Sequence, residues 1–222
     1  MVELTRNVDG TGPFFNFGAY NVPIANKIRL VGGTKAARIK ITNPVNLKGD
    51  VESDSDFLIY SGWGWLHADG DFRAPGKTIT FEEDDKNLAP SYFVGAVDAA
   101  LVKKGTASLE LRGRSSGATN VLTAAGGRLR LTAEAAWEGP AVVQNGGLLA
   151  LDGRDNLSSA ATLTVEEGGK VEIAEGVGVR VHALVLNGQT MPVGVYSKAN
   201  KPAFFDGGGH VVVGTATVVI LR

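Results

Sequence analysis

The sequence predicts an all-β chain wound as a parallel β-helix (β-solenoid), with about 20–22 residues per coil and a C-terminal cap. Three observations predict it. Short alternating strands recur along the chain, glycine pairs punctuate them, and apolar pairs return at a near-constant step.

The alternating segments set the strand content. Arg38-Ile39-Lys40-Ile41, Lys77-Thr78-Ile79-Thr80-Phe81, Ser108-Leu109-Glu110-Leu111, Arg128-Leu129-Arg130-Leu131, Thr162-Leu163-Thr164-Val165 and Lys170-Val171-Glu172-Ile173 each place apolar side chains on one face and polar ones on the other. Helical periodicity is nearly absent. The best helix candidate, Leu131-Thr132-Ala133-Glu134-Ala135-Ala136, is short and closed by Gly139-Pro140.

The glycine pairs set the repeat. Gly126-Gly127 precedes Leu129 and Leu131, Gly146-Gly147 precedes Leu149 and Leu151, and Gly168-Gly169 precedes Val171 and Ile173. Upstream, Gly105-Thr106 precedes Leu109 and Leu111 with one extra residue. The first apolar members are 20, 20 and 22 residues apart. A second rung lies before each glycine pair, at Ala100/Val102, Val121/Thr123, Ala141/Val143 and Leu163/Val165. It extends back through Ile79/Phe81, Phe57/Ile59 and Ile39/Ile41, and forward to Leu184/Leu186.

One such repeat is too small to bury its own apolar face, so coils must stack. Stacking aligns Leu109, Leu129, Leu149 and Val171 in one internal column, and Leu111, Leu131, Leu151 and Ile173 in a second. The glycine pairs then mark corners, where at least one residue needs φ > 0. Glu110, Arg128, Arg130, Lys170 and Glu172 face outward. The competing architecture is an antiparallel β-sandwich, with Glu166-Glu167-Gly168-Gly169 as a hairpin loop. The expected organisation is solenoid coils over residues 1–186, irregular to about residue 36, and a capping segment over 187–222. In that segment Tyr196 and Phe204-Phe205, flanked by Pro192 and Pro202, are expected to cover the open end.

Composition excludes several function classes. The 30 Gly have no three-residue period, which excludes collagen. The absence of Cys excludes a disulfide scaffold, a Cys-ligated zinc site and thiol catalysis. Lys+Arg number 22 against 23 Asp+Glu, which argues against a nucleic-acid partner. No stretch of 18 apolar residues is present, so no membrane insertion by this segment is expected. The start, Met1 to Asn7, does not read as a signal peptide, so an extracellular home would imply a longer parent protein.

The most unusual stretch runs from Tyr60 to Phe72. Trp63 and Trp65 alternate with Gly and share one face of a strand. Exposed, the pair would stack on sugar rings, with His67, Asp69 and Asp71 supplying hydrogen bonds. The competing expectation places both indoles in the core or over an end of the solenoid. Carboxylates cluster at Glu52/Asp54/Asp56, at Asp69/Asp71 and at Glu82/Glu83/Asp84/Asp85, but none fits a calcium-loop spacing. They read as solvated loops. A polysaccharide lyase or hydrolase would need two of them within about 5–10 Å of each other in an open groove. His67, His182 and His210 are isolated, so no zinc site is expected. Gly32-Gly33-Thr34-Lys35 lacks the phosphate-loop spacing and reads as a turn. No cofactor is expected.

Two parts of the chain resemble a known family. The run Ala100-Leu101-Val102-Lys103-Lys104-Gly105-Thr106-Ala107-Ser108-Leu109-Glu110-Leu111-Arg112-Gly113 resembles the opening of the autotransporter-associated β-strand repeat. Ala124-Ala125-Gly126-Gly127-Arg128-Leu129-Arg130-Leu131 resembles its close. The segments Val179 to Gly188, Pro192 to Tyr196 and Phe204 to Val213 resemble the piece that often ends such proteins. The resemblance covers roughly residues 97–215. Ala107 stands where the family usually has Gly, and Arg114-Ser115-Ser116-Gly117 replaces an Asn/Thr-rich connection. The resemblance implies a right-handed parallel β-helix in a large secreted or cell-surface protein. Such repeats serve as non-enzymatic scaffold or adhesion stalk, and no catalytic residues carry over. Partners would be surface glycans or other domains of the same parent. The alternative is a carbohydrate-binding module of a larger extracellular polysaccharide-active protein, resting on Trp63 and Trp65.

Overall fold

The computed structural model describes residues 2–4, 14–17, 23–31, 37–62, 64–83 and 89–214. Among the described residues there is no helix, and every pairing between strands of successive coils is parallel. The chain is a β-solenoid, and the sandwich alternative falls with the strand direction. The segment from Leu131 to Ala136, the helix candidate, is a strand end, a turn and the start of the strand Ala136–Trp137.

Each coil lays strands on three successive faces. The first face carries Ile28–Leu30, Val51–Ser53 and the starts of Phe72–Glu83 and Val97–Lys104. It continues through Arg114–Ser115 and Ala136–Trp137 to a bridge at Leu157. The second face carries Ala37–Ile41, Phe57–Ser61, the far ends of Phe72–Glu83 and Val97–Lys104, then Leu122–Ala124, Ala141–Val143, Thr162–Val165 and Ala183–Leu186. The third face is a nine-stranded sheet running from Pro23–Ile24 to Phe205–Gly207.

The two internal columns expected from the glycine spacing are present in register. Leu109 pairs with Leu129, Leu129 with Leu149 and Leu149 with Val171; Leu111, Leu131, Leu151 and Ile173 align beside them. All eight are buried. Each strand buries alternate residues because its side chains alternate about the sheet, and stacking then removes one whole set from water.

The second rung differs by one residue in two coils. The buried pairs are Leu101/Lys103 and Leu122/Ala124, not Ala100/Val102 and Val121/Thr123. A one-residue shift of phase turns every side chain to the opposite face. The apolar pattern alone places Val102 inside, whereas the strand buries a lysine instead. The remaining rungs, Ala141/Val143, Leu163/Val165 and Leu184/Leu186, are buried as expected.

The corners need glycine for two reasons. At the corner between second and third faces, Gly146 has φ +78° and open space around it, whereas a Cβ on Gly147 would lie 2.0 Å from the carbonyl oxygen of Ala124. One member of the pair supplies the turn and the other lets the coils close. A second, unexpected glycine column occupies the corner between third and first faces. There Gly49, Gly70, Gly95 and Gly113 stack so closely that a Cβ on Gly95 would meet the Gly70 carbonyl oxygen at 2.2 Å.

Further strands join the stack towards both ends. Val2–Leu4 and Phe14–Phe17 pair in parallel with Ile28–Leu30 and Ala37–Ile41, as coils that start at the beginning of the chain require. At the other end, Phe205–Gly207 adds a parallel strand to Lys170–Ile173, and His210–Val213 adds one to Gly178–Val181. Phe205 therefore adds the last member to the Leu109 column, beside Val171. The strands that reverse direction are Gln189–Thr190 and Gly194–Ser197. Tyr196, on the second of these, is buried and donates its hydroxyl to the Pro192 carbonyl at 2.7 Å.

Candidate functional site

The outer surface of the third face carries the aromatic residues singled out in the sequence. Leu66 and Ala68 are buried, which turns His67 and, two residues before it, Trp65 to the outside. The Trp65 and His67 rings are stacked, with centroids 3.7 Å apart and planes at 18°. His67 in turn stacks on Tyr92 of the next coil at 3.8 Å, and the Arg112 guanidinium of the coil beyond lies 3.7 Å from the Tyr92 ring centre. The result is a column of four planar groups across three coils. Burial first, and the charge of Arg112 second, push the His67 pKa below 6.5, which keeps the imidazole neutral at pH 7. Stacking covers both faces of the His67 ring, between Trp65 and Tyr92.

The carboxylates do other work. Asp69 pairs with Lys48 at the surface. Asp71 accepts the backbone N–H of Ala96 at 2.9 Å and an Arg73 hydrogen bond at 2.6 Å. Asp50, one coil earlier, accepts the N–H of Asp71 at 3.0 Å and the other arm of Arg73 at 2.9 Å. The N–H of Asp71 is the main reason the Asp50 carboxyl titrates below its usual 3.8. Of the expected site residues, then, the structure stacks Trp65 on His67, whose imidazole also feels the Asp69 charge, while Asp71 is engaged by Arg73 and the Ala96 N–H. Trp63 lies outside the described residues, as do Gly32-Gly33-Thr34-Lys35 and Asp84-Asp85.

Further along this face, the outward charges tie coils together. Arg128 reaches Glu172 with two hydrogen bonds of 2.7 and 3.0 Å, spanning 44 residues of chain. Arg130 bridges Glu110 at 3.1 Å and Asp152 at 2.8 Å. Desolvation opposes ionisation of Glu110, but hydrogen bonds from Arg112 and Arg130 outweigh it and hold the carboxyl below its usual range. Among the described residues, no cluster of three or more His, Asp or Glu is placed to hold a metal ion.

The interior holds a polar group that sequence reasoning passed over. Lys103 has no exposed surface and donates to the carbonyls of Lys104, Gly105 and Gly126 at 2.7, 3.1 and 3.3 Å. Burial pulls its pKa down to about 8, against the attraction of Glu83. Glu83 is itself buried and accepts the Ser91 hydroxyl at 3.1 Å, while Ser91 accepts the N–H of Leu66 at 2.9 Å. The signal was available: continuing the alternation Val97, Ala99, Leu101 puts Lys103 inside. Tyr92 and Arg112 carried no such signal, because their partners come from other coils.

The chain matches no family model, and no curated protein or solved structure is recognisably similar to it.

Proposed function

We propose that this chain is a non-enzymatic β-solenoid segment of a secreted or cell-surface protein, serving as scaffold or adhesion stalk. One observation carries the reading: many charged side chains of the first and third faces are spent on joining coils. Asp50 and Asp71 each cap the N–H of the coil above, and Arg128 and Arg130 bind acids on other coils. A surface so occupied suits a spacer more than a catalyst. The resemblance of residues 97–215 to autotransporter-associated repeats supports the same reading. Protease shaving of intact source cells tests it. Release of peptides from this chain before lysis is expected; release only after lysis overturns the surface assignment.

A second reading is favoured by the Trp65–His67–Tyr92–Arg112 column, in which a partly buried indole ends a row of stacked rings on the outer surface of the third face. On this reading the segment is a carbohydrate-binding module. Glycan-array binding that disappears in Trp65→Ala supports it, and an array without signal removes it.

A further inference from the structure

The first face is interrupted near its C-terminal end. Strand pairing runs from Trp137 to Leu157, and the next strand, Gly178–Val181, pairs only on its far side, with His210–Val213. Between them lies an open groove of about 590 Å³. That volume falls in the range of small-ligand sites. Gly178–Val181 is the edge strand of its sheet, so one side of it has no strand partner among the described residues, and Gly178 and Arg180 of that strand line the groove.

The lining is polar and positively charged. Arg154, Asp155, Ser158, Ser159, Arg180 and His210 supply its polar lining, two guanidiniums against one carboxylate. Among the described residues neither Arg154 nor Arg180 is in an ion pair, whereas Arg73, Arg112, Arg128 and Arg130 all are. The His210 ring packs against Gly178: a Cβ there would fall 2.8 Å from its Nε2. The missing side chain gives the imidazole its seat.

We propose that this groove binds an acidic saccharide, a uronate-bearing unit of about two sugar rings. Two guanidinium forks match a planar carboxylate. The Ser159 hydroxyl, the Ser158 hydroxyl (which accepts the Ala160 N–H at 3.2 Å and keeps its own proton to donate) and the strand-edge amides match sugar hydroxyls. An added peptide strand fits less well, because the edge is only 4 residues long and the backbone bond from His182 to Ala161 closes one end. The site is on a different face from Trp65, so it stands or falls apart from the aromatic column.

Isothermal titration of the whole chain with hyaluronan disaccharide, with N,N′-diacetylchitobiose as the neutral counterpart, tests this. Both arginines are exposed, so the R154A/R180A variant should fold, which its melting curve checks. The uronate disaccharide is expected to bind at least about tenfold more tightly than N,N′-diacetylchitobiose. That affinity should fall about tenfold or more in R154A/R180A and stay unchanged in W65A. Equal affinity for the two sugars, no heat with the uronate, or loss in W65A but not in R154A/R180A overturns the assignment.

Discussion

The ammonium of Lys103 reaches one coil further along the solenoid to the carbonyl of Gly126, 3.3 Å away, from a side chain with no exposed surface. Its pKa of about 8 lies below the ordinary 10.5, so the unfolded chain binds more protons between those values. Stability should therefore rise as pH increases from about 8 to about 10.5, by roughly 2–3 kcal/mol. Urea denaturation across that window measures the rise. Lys103→Met should abolish it, and Glu83→Gln should move its onset to lower pH, because Glu83 holds the proton on.

The two glycine corners should respond differently to alanine. Gly95→Ala forces a Cβ to within 2.2 Å of a backbone oxygen that cannot move without separating coils. A loss of about 3 kcal/mol is expected. Gly146→Ala meets no neighbour and has only its φ of +78° to oppose it, a cost of about 1–2 kcal/mol. Chemical denaturation of both variants checks the order; equal losses would refute the close-approach account.

Asp71 and Asp69 are two residues apart and should differ in weight. Asp71→Ala removes the acceptor for the Ala96 N–H and should cost about 1–2 kcal/mol, with Asp71→Asn recovering part of it. Asp69→Ala loses only an exposed pair with Lys48 and should change stability by less than about 0.5 kcal/mol. The Asp50 contribution has a pH signature. It is complete above about pH 3.8 and is lost as pH falls through the lowered folded value.

Stacking of His67 on Trp65 predicts an optical readout. Since the folded pKa of His67 lies below 6.5, Trp emission should change only as pH falls below 6.5, and the change should vanish in His67→Phe. Stability should fall over the same range, because the unfolded chain takes up that proton first. An emission change centred at or above pH 6.5 would contradict the geometry.

Much of the fold was legible because burial imposes period two on every strand and coil length fixes the step between columns. Leu109, Leu129, Leu149 and Val171 therefore announced themselves. Lys103 did not, since hydropathy sends lysine outward and only three backbone carbonyls brought together by folding make its burial tolerable. The Gly49–Gly70–Gly95–Gly113 column escaped because its steps are uneven, 21, 25 and 18 residues. At the candidate site, Trp65 and His67 were visible from their alternation. Their completion by Tyr92 and Arg112 depends on which coil lies beside which, a property of register.

The Arg128–Glu172 bridge has a mechanical consequence. It joins a strand to the next strand but one, skipping the coil that holds Gly147–Leu151. A solenoid held only by adjacent contacts unravels one coil at a time when drawn from its end. Here the coil bearing Lys170–Ile173 cannot leave without breaking a tie two levels down, so traction is shared across three layers before the first gives way.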